Sequence, residues 1–300
     1  MKQLGRTLVV CHDAGGAEVV SSWAKRQSRA RFDFVLEGPA RKVFERKLGS
    51  LEILPWDPFD LKNRKFEKVI TGTSWSSDLE KRAIVWSVAE GIKTETFLDH
   101  WINYRHRFDV KGTLVLPDKL YVYDEFAKLT AERELNHRHI EIIGNPYWDD
   151  MMIEIGVREK LQVAKDPVHP TRILYVTQPI QDVSKIYGSY GYTEFTALDA
   201  FLDWLEKEHS SAGELRLRPH PAEGIQKYRD FFSTRPTKFS VTYSEGRELP
   251  EDIAWADWVV GCDTMAMVIG LKAKRRVLCS IPKGGKALGI PYPEITRLFL

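Results

Sequence analysis

The sequence holds only three cysteines, Cys11, Cys262 and Cys279, scattered over 300 residues. That is too few for a disulfide framework, and no spacing suits a zinc cluster. It also lacks any run of about 18 apolar residues, the minimum for a membrane-spanning helix. The N-terminal apolar stretch soon meets His12 and Asp13, which is not the pattern of a signal peptide. Neither sign of charge is in excess: 44 Lys and Arg face 42 Asp and Glu, a formal net charge of +2. No electrostatic reason therefore points to nucleic acid or an anionic membrane as the main partner. Low-complexity tracts and fixed-period repeats are absent too. These absences point to a reduced cytoplasm, with peripheral membrane contact left open.

What is present is a globular chain, 43% hydrophobic and 29% charged, long enough for two domains. Nine tryptophans are the one compositional oddity; most are expected in the core, and carbohydrate clefts also use indole faces. Short β-rich runs alternate with helical stretches, which predicts an α/β protein with largely parallel sheets. In the first half, strands are expected at 7–12, 32–38, 51–55, 68–74, 94–100, 119–124 and 139–146. Helices are expected at 17–27, 40–48, 78–90 and up to about Leu135, with Leu79, Ala83, Trp86 and Val88 on one apolar face. Residues 157–171, charged and carrying Pro167 and Pro170, read as a linker. The second half predicts strands at 172–179, 214–221, 239–243, 257–262 and 276–282, with helices at 193–209, 225–232 and from about Thr264. Two doubly wound domains hinged near 150–170, with a cleft between them, fit this order. In such sheets ligands bind beyond the carboxyl ends of the strands.

Three strand ends carry chemistry. The first is Cys11-His12-Asp13-Ala14-Gly15-Gly16. Gly15 and Gly16 let backbone come close to a ligand, and Asp13 stands where a base faces substrate; the alternative is a tight turn with Asp13 as a helix cap. The three-glycine dinucleotide spacing is missing. The second is Arg218-Pro219-His220-Pro221, where two prolines stiffen a histidine able to bind and protonate a phosphate, with Arg218 beside it. The third is Gly261-Cys262-Asp263-Thr264, ahead of a helix whose free amides and Thr264 hydroxyl suit a phosphate; the alternative is Asp263 as a cap. Thr73 and the pair Asp99-His100 end neighbouring strands of the first half and are candidates for the opposite wall. His12, His100 and His106 have no helical ligand spacing, so no metal site is expected.

In this order the motifs resemble the GT-B glycosyltransferase superfamily, whose two Rossmann-like domains enclose a nucleotide sugar. Gly144-Asn145-Pro146 is similar to the segment leading out of the first domain, and Arg218-Pro219-His220-Pro221 to the His-Pro motif of bacterial sialyltransferases and related capsule enzymes. Two departures stand out. A double hydroxyl is replaced by Asp263-Thr264, and the acidic pair before glycine appears only as His12-Asp13-Ala14-Gly15.

The resemblance implies an N-terminal acceptor domain over 1–150 and a C-terminal nucleotide-binding domain over 151–300. It implies an inverting, metal-independent glycosyltransferase of surface-polysaccharide or glycoconjugate synthesis. A nucleotide sugar, such as a CMP-activated nonulosonic acid, would be a substrate, with no separate cofactor. Asp13 would be the base and His220 the group on the leaving phosphate. Arg218, Gly261, Asp263 and Thr264 would hold the nucleotide, and Gly15, Gly16, Thr73, Asp99 and His100 would line the acceptor and sugar side. The alternatives are a non-hydrolysing UDP-sugar 2-epimerase, a teichoic-acid-type glycerophosphotransferase and a non-catalytic sugar-nucleotide-binding protein.

Overall fold

The computed structural model describes residues 5–27, 31–161, 170–209 and 213–299. The chain divides into two compact units, Met1–Asp149 and Asp150–Leu300. Each is built on one parallel six-stranded sheet, so the protein is an α/β chain of two doubly wound domains.

In the first unit the order is β1 (Arg6–Cys11), α1 (Ala14–Lys25), β2 (Arg31–Leu36), α2 (Gly38–Leu48), α3 (Pro58–Asn63) and β3 (Phe66–Thr71). Next come α4 (Leu79–Ala89), β4 (Lys93–Phe97), α5 (Tyr104–Phe108) and the small antiparallel pair β5 (Asp109–Val110) and β6 (Thr113–Leu114). β7 (Lys119–Val122), α6 (Glu125–Leu135) and β8 (Ile140–Ile142) complete the sheet, ordered β2-β1-β3-β4-β7-β8. β1 shows why the sheet is central. Val9 and Cys11 pack with Phe34, Leu36 and Ile70 on one face, while Leu8 and Val10 pack with Val35 and Val69 on the other. A strand covered on both faces needs a continuous apolar run, not alternation.

The second unit follows α7 (Pro146–Leu161) with β9 (Arg172–Val176), α8 (Ile180–Tyr187), α9 (Glu194–Glu208), β10 (Glu214–Arg218) and α10 (Gln226–Thr234). β11 (Ser240–Tyr243), α11 (Leu249–Trp255), β12 (Trp258–Gly261), α12 (Met265–Lys272), β13 (Arg276–Cys279) and β14 (Thr296–Arg297) complete it, in the order β11-β10-β9-β12-β13-β14. α9 is fixed by a full capping box, in which Thr193 and Thr196 each bond the other's backbone N–H. Its Leu198, Phe201, Leu202 and Leu205 cover Ile173, Tyr175, Leu215 and Leu217.

Several expectations change. Residues 51–55 form no strand; only Ile53 bridges to Phe34. Residues 157–161 continue helix α7, while 162–169, including Pro167, lie outside the described residues. α3, α8 and α11 were not legible as helices; α3 and α11 are too short for a period to show. On α4, Leu79, Ala83 and Trp86 are buried as expected, but Val88 is 59% exposed and Ile84 takes its place in the core. No tryptophan is exposed. Among the described residues no helix is long and apolar enough to cross a membrane.

Candidate functional site

In the first sheet the chain leaves β1 to one side for β2 and crosses to the other for β3. The switch point is therefore beyond the carboxyl ends of β1 and β3, where His12 and Asp13 lie. Asp13 occupies the N-cap position of α1, yet its side chain makes no capping bond. It crosses to the loop after β3 instead. Trp75 N–H donates to Oδ2 at 2.6 Å, Ser76 N–H donates to Oδ2 at 3.4 Å, and Ser76 Oγ–H donates to Oδ1 at 2.5 Å. Burial acts to raise the Asp13 carboxyl, but these bonds and one from His12 hold it below the usual carboxylate range. An ionised carboxylate can only accept, so His12 Nδ1, 2.7 Å from Oδ1, carries the hydrogen. In the neutral ring Nε2 is then the acceptor, its edge turned to Gly38, where an added Cβ would come within 2.6 Å of it.

Behind this turn lies Glu80, 3% exposed. Its Oε1 accepts the His12 N–H at 2.7 Å, and its Oε2 is buried with no partner. Burial pushes this carboxyl up to about 7.

The glycines serve packing more than substrate approach. A Cβ on Gly15 would fall 2.2 Å from Asp99 Oδ2, and one on Gly16 would fall 2.9 Å from the backbone nitrogen of Thr73. The chain thus places its own carboxylate at the start of α1, the position that suits an anion. Asp99 Oδ1 accepts from Thr73 Oγ1 at 2.8 Å and from Arg107 Nη1 at 2.5 Å. Thr73, 2% exposed, is thereby committed to scaffold. His100 Nδ1 accepts the Trp101 N–H at 3.0 Å, and burial next to Arg107 pushes the imidazole down to about 4. It is a neutral ring at physiological pH.

In the second sheet the switch point lies between β9 and β12. Two residues past β9, Gln178 closes it: Oε1 accepts the Asp263 N–H at 2.8 Å and Nε2 donates to the Asp263 carbonyl at 2.5 Å. Its neighbour Thr177 joins the turn after β10. Thr177 Oγ1–H donates to Glu223 Oε2 at 2.5 Å, and the His220 N–H donates to the same oxygen at 3.0 Å. The motifs at His220 and Asp263 are thus linked through residues 177–178. Glu223, 1% exposed, also accepts from Tyr228 and pairs with Lys227. Ala222 N–H donates to His220 Nδ1 at 3.2 Å, so in the neutral ring the hydrogen sits on Nε2. Burial lowers the His220 imidazole, opposed by nearby Glu223.

Arg218 is placed differently from expectation. Its Nη1 donates to Asp252 at 2.7 Å, to Ser244 and to the Arg247 carbonyl. Asp252 is fully buried and shared with Arg216, so this guanidinium braces β10 against α11. Thr264, not Asp263, caps α12, through the Ala266 N–H at 3.4 Å. Asp263 Oδ2 accepts the Gly289 N–H at 3.0 Å while Oδ1 is buried without a partner, and burial raises the carboxyl. Gly261 lets β12 end close to β9; a Cβ there would lie 3.0 Å from the Val176 carbonyl.

Sequence reasoning missed His12, Ser76, Glu80, Thr177, Gln178 and Glu223. Only His12 left a signal, its place directly before Asp13 at a strand end. Among the described residues no group of three or more His, Cys, Asp or Glu is placed to hold a metal ion.

No protein-family model and no curated protein sequence matches the chain. Solved structures do. The UDP-GlcNAc 2-epimerase of Neisseria meningitidis, bound to UDP-GlcNAc, superposes with a TM-score of 0.64 at 11% identity, over 93% of this chain and 83% of that one. The UDP-GlcNAc 2-epimerase of Methanocaldococcus jannaschii, with UDP-GlcNAc and UDP, gives 0.61 at 10% identity over 91% and 83%. Acinetobacter baumannii MurG gives 0.53 at 9% over 92% and 77%. At such identities the likeness is one of fold, and the fold is the GT-B-like pair of parallel-sheet domains.

Proposed function

We propose that the chain is an inverting, metal-independent glycosyltransferase that uses a nucleotide-activated sugar. The observation that carries this reading is the turn at His220 in the second unit, where the Ala222 N–H donates to Nδ1 and leaves the hydrogen of the neutral ring on Nε2. A neutral imidazole bare at one nitrogen can accept a proton, and one that carries hydrogen at Nε2 can donate it. His12 Nε2 takes the proton of the acceptor hydroxyl as its oxygen bonds to the anomeric carbon. The bond from that carbon to the leaving phosphate oxygen breaks, and His220 Nε2–H donates to that phosphate. Asp13, which the motif alone made the base, holds the Nδ1–H of His12 and balances the imidazolium that forms, because its own oxygens already accept three donors from the β3 loop. The N-terminal amides of α12 and the Thr264 hydroxyl receive the phosphate charge. The second unit thus holds the nucleotide, and the donor implied by the Arg218-Pro219-His220-Pro221 string is a CMP-activated nonulosonic acid.

Thermal-shift titration with CMP, CDP, UDP and GDP tests the nucleotide, since a ligand of the folded state raises its stability. At least one should bind, and His220→Ala should weaken it by about tenfold or more, the worth of a hydrogen bond to a charged group. Unchanged binding and turnover in that variant would sink the assignment. A second reading, a non-hydrolysing 2-epimerase, is favoured by the likeness in fold to two UDP-GlcNAc 2-epimerases. Incubation with UDP-GlcNAc and NMR of the product separates the two: inversion at C2 without an acceptor marks the epimerase.

A further inference from the structure

Away from the His220 and Asp263 turns, the second unit carries an open groove of about 880 Å³ between α8, the start of α9 and the loop after β13. None of its lining residues belongs to 218–223 or 261–264. Two glycine-bearing loops build it. Gly191, at φ +76°, packs so closely that a Cβ would lie 2.9 Å from the Gly284 carbonyl, and a Cβ on Gly285 would lie 2.7 Å from the Tyr192 ring. The Lys286 N–H donates to the Tyr190 carbonyl at 2.8 Å, locking the two loops together.

The lining chemistry is one-sided. Gln181 and Ser184 contribute an amide and a hydroxyl, Lys185 and Lys283 contribute cations, and the hydroxyls of Thr193 and Thr196 are already bonded within the capping box. No carboxylate lines it. Glu194, the acid nearest in sequence, is turned into the core, where it accepts the Gln181 N–H at 2.9 Å and pairs with Lys227 at 2.6 Å. Lys185 shares its charge with Asp182 at 2.7 Å, whereas Lys283 has no ion-pair partner among the described residues. An open groove of this size admits a small ligand, and an amide and a hydroxyl beside a cation with no ion-pair partner among the described residues suit a polyhydroxylated anion.

We propose that this groove is a binding site for an anionic carbohydrate, a sugar or polyol bearing a phosphate or carboxylate, with Lys283 as its charge-reading residue. The site is independent of the nucleotide reading above, so either can fail alone. Calorimetric titration of the full chain with glucose 6-phosphate, N-acetylneuraminic acid, glucose and inorganic phosphate tests it. One of the two acidic sugars should bind, the phosphate and carboxylate arms showing which acid is read, and glucose and inorganic phosphate should each bind at least about tenfold more weakly. Lys283→Glu, at an exposed position, should fold normally and lose the sugar, while Lys185→Ala should weaken it less and His220→Ala should leave it unchanged. The proposal is overturned if neither acidic sugar binds, if glucose or phosphate alone binds as well, if Lys283→Glu binds as wild type does, or if His220→Ala abolishes binding.

Discussion

The turn after β1 and the turn after β9 solve one geometric problem with different side chains. Each lies at the switch point of a parallel six-stranded sheet, and each is tied across it by the second residue past the strand. In the first unit the tie is the carboxylate of Asp13; in the second it is the neutral amide of Gln178. The consequence is electrostatic. Around the first turn Asp13, Asp99 and buried Glu80 gather acid groups, and Asp99 itself occupies the start of α1. Around the second, the loops carry His220 and the amides of α12 beside the buried carboxyls of Glu223 and Asp263. A shared architecture thus carries a charged tie at one turn and a neutral tie at the other.

Three changes test this contrast. The largest effect is expected from Asp13→Asn, which keeps shape but loses the carboxylate that holds Nδ1–H on His12. Turnover should fall by roughly 10²–10⁴, the range for general-base catalysis, while the nucleotide thermal shift persists. A rate within about threefold of wild type, well under that range, would end the role.

Glu80→Gln comes next. The folded carboxyl is raised from 4.5 to about 7, so its contribution is fully present below 4.5 and is lost as pH rises through about 7. The variant should therefore exceed wild type by up to about 3 kcal/mol at about pH 8 and match it near pH 4.5, in urea denaturation at both pH values. Equal stability at the higher pH would show that the carboxyl ionises freely.

The smallest change is Gln178→Ala. It strips two bonds from the Asp263 peptide, a loss of about 1–3 kcal/mol confined to the second turn. Hydrogen exchange should quicken at Asp263 and stay unchanged at Trp75 and Ser76. Equal quickening at both turns would mean the ties are not local.

Much of the fold was legible because parallel strands buried on both faces leave continuous apolar runs. Leu8 to Cys11, Ile173 to Val176 and Trp258 to Gly261 all stand out this way. The site was less so. Asp13 and His220 were visible as polar residues stopping such runs. Their hydrogen-bond partners Trp75, Ser76 and Ala222 were not, because backbone donors carry no side-chain signature and the Ser76 hydroxyl lies 63 residues from Asp13 in sequence. Arg218 shows what spacing leaves out. Beside His220 it reads as a phosphate ligand, yet Asp252, 34 residues on, holds it in the wall of the domain.

The residue order alone therefore determined two α/β halves, the strands that form them and the turns where chemistry can sit, since burial and periodicity are local properties of the chain. Only the tertiary structure decided what those turns can do. The tautomers of the neutral His12 and His220 rings, the raised carboxyl of Glu80 and the pairing of Arg218 with Asp252 each depend on groups brought close from distant positions. A proton's location is set by the nearest donors and acceptors and by burial, and neither is written in sequence spacing.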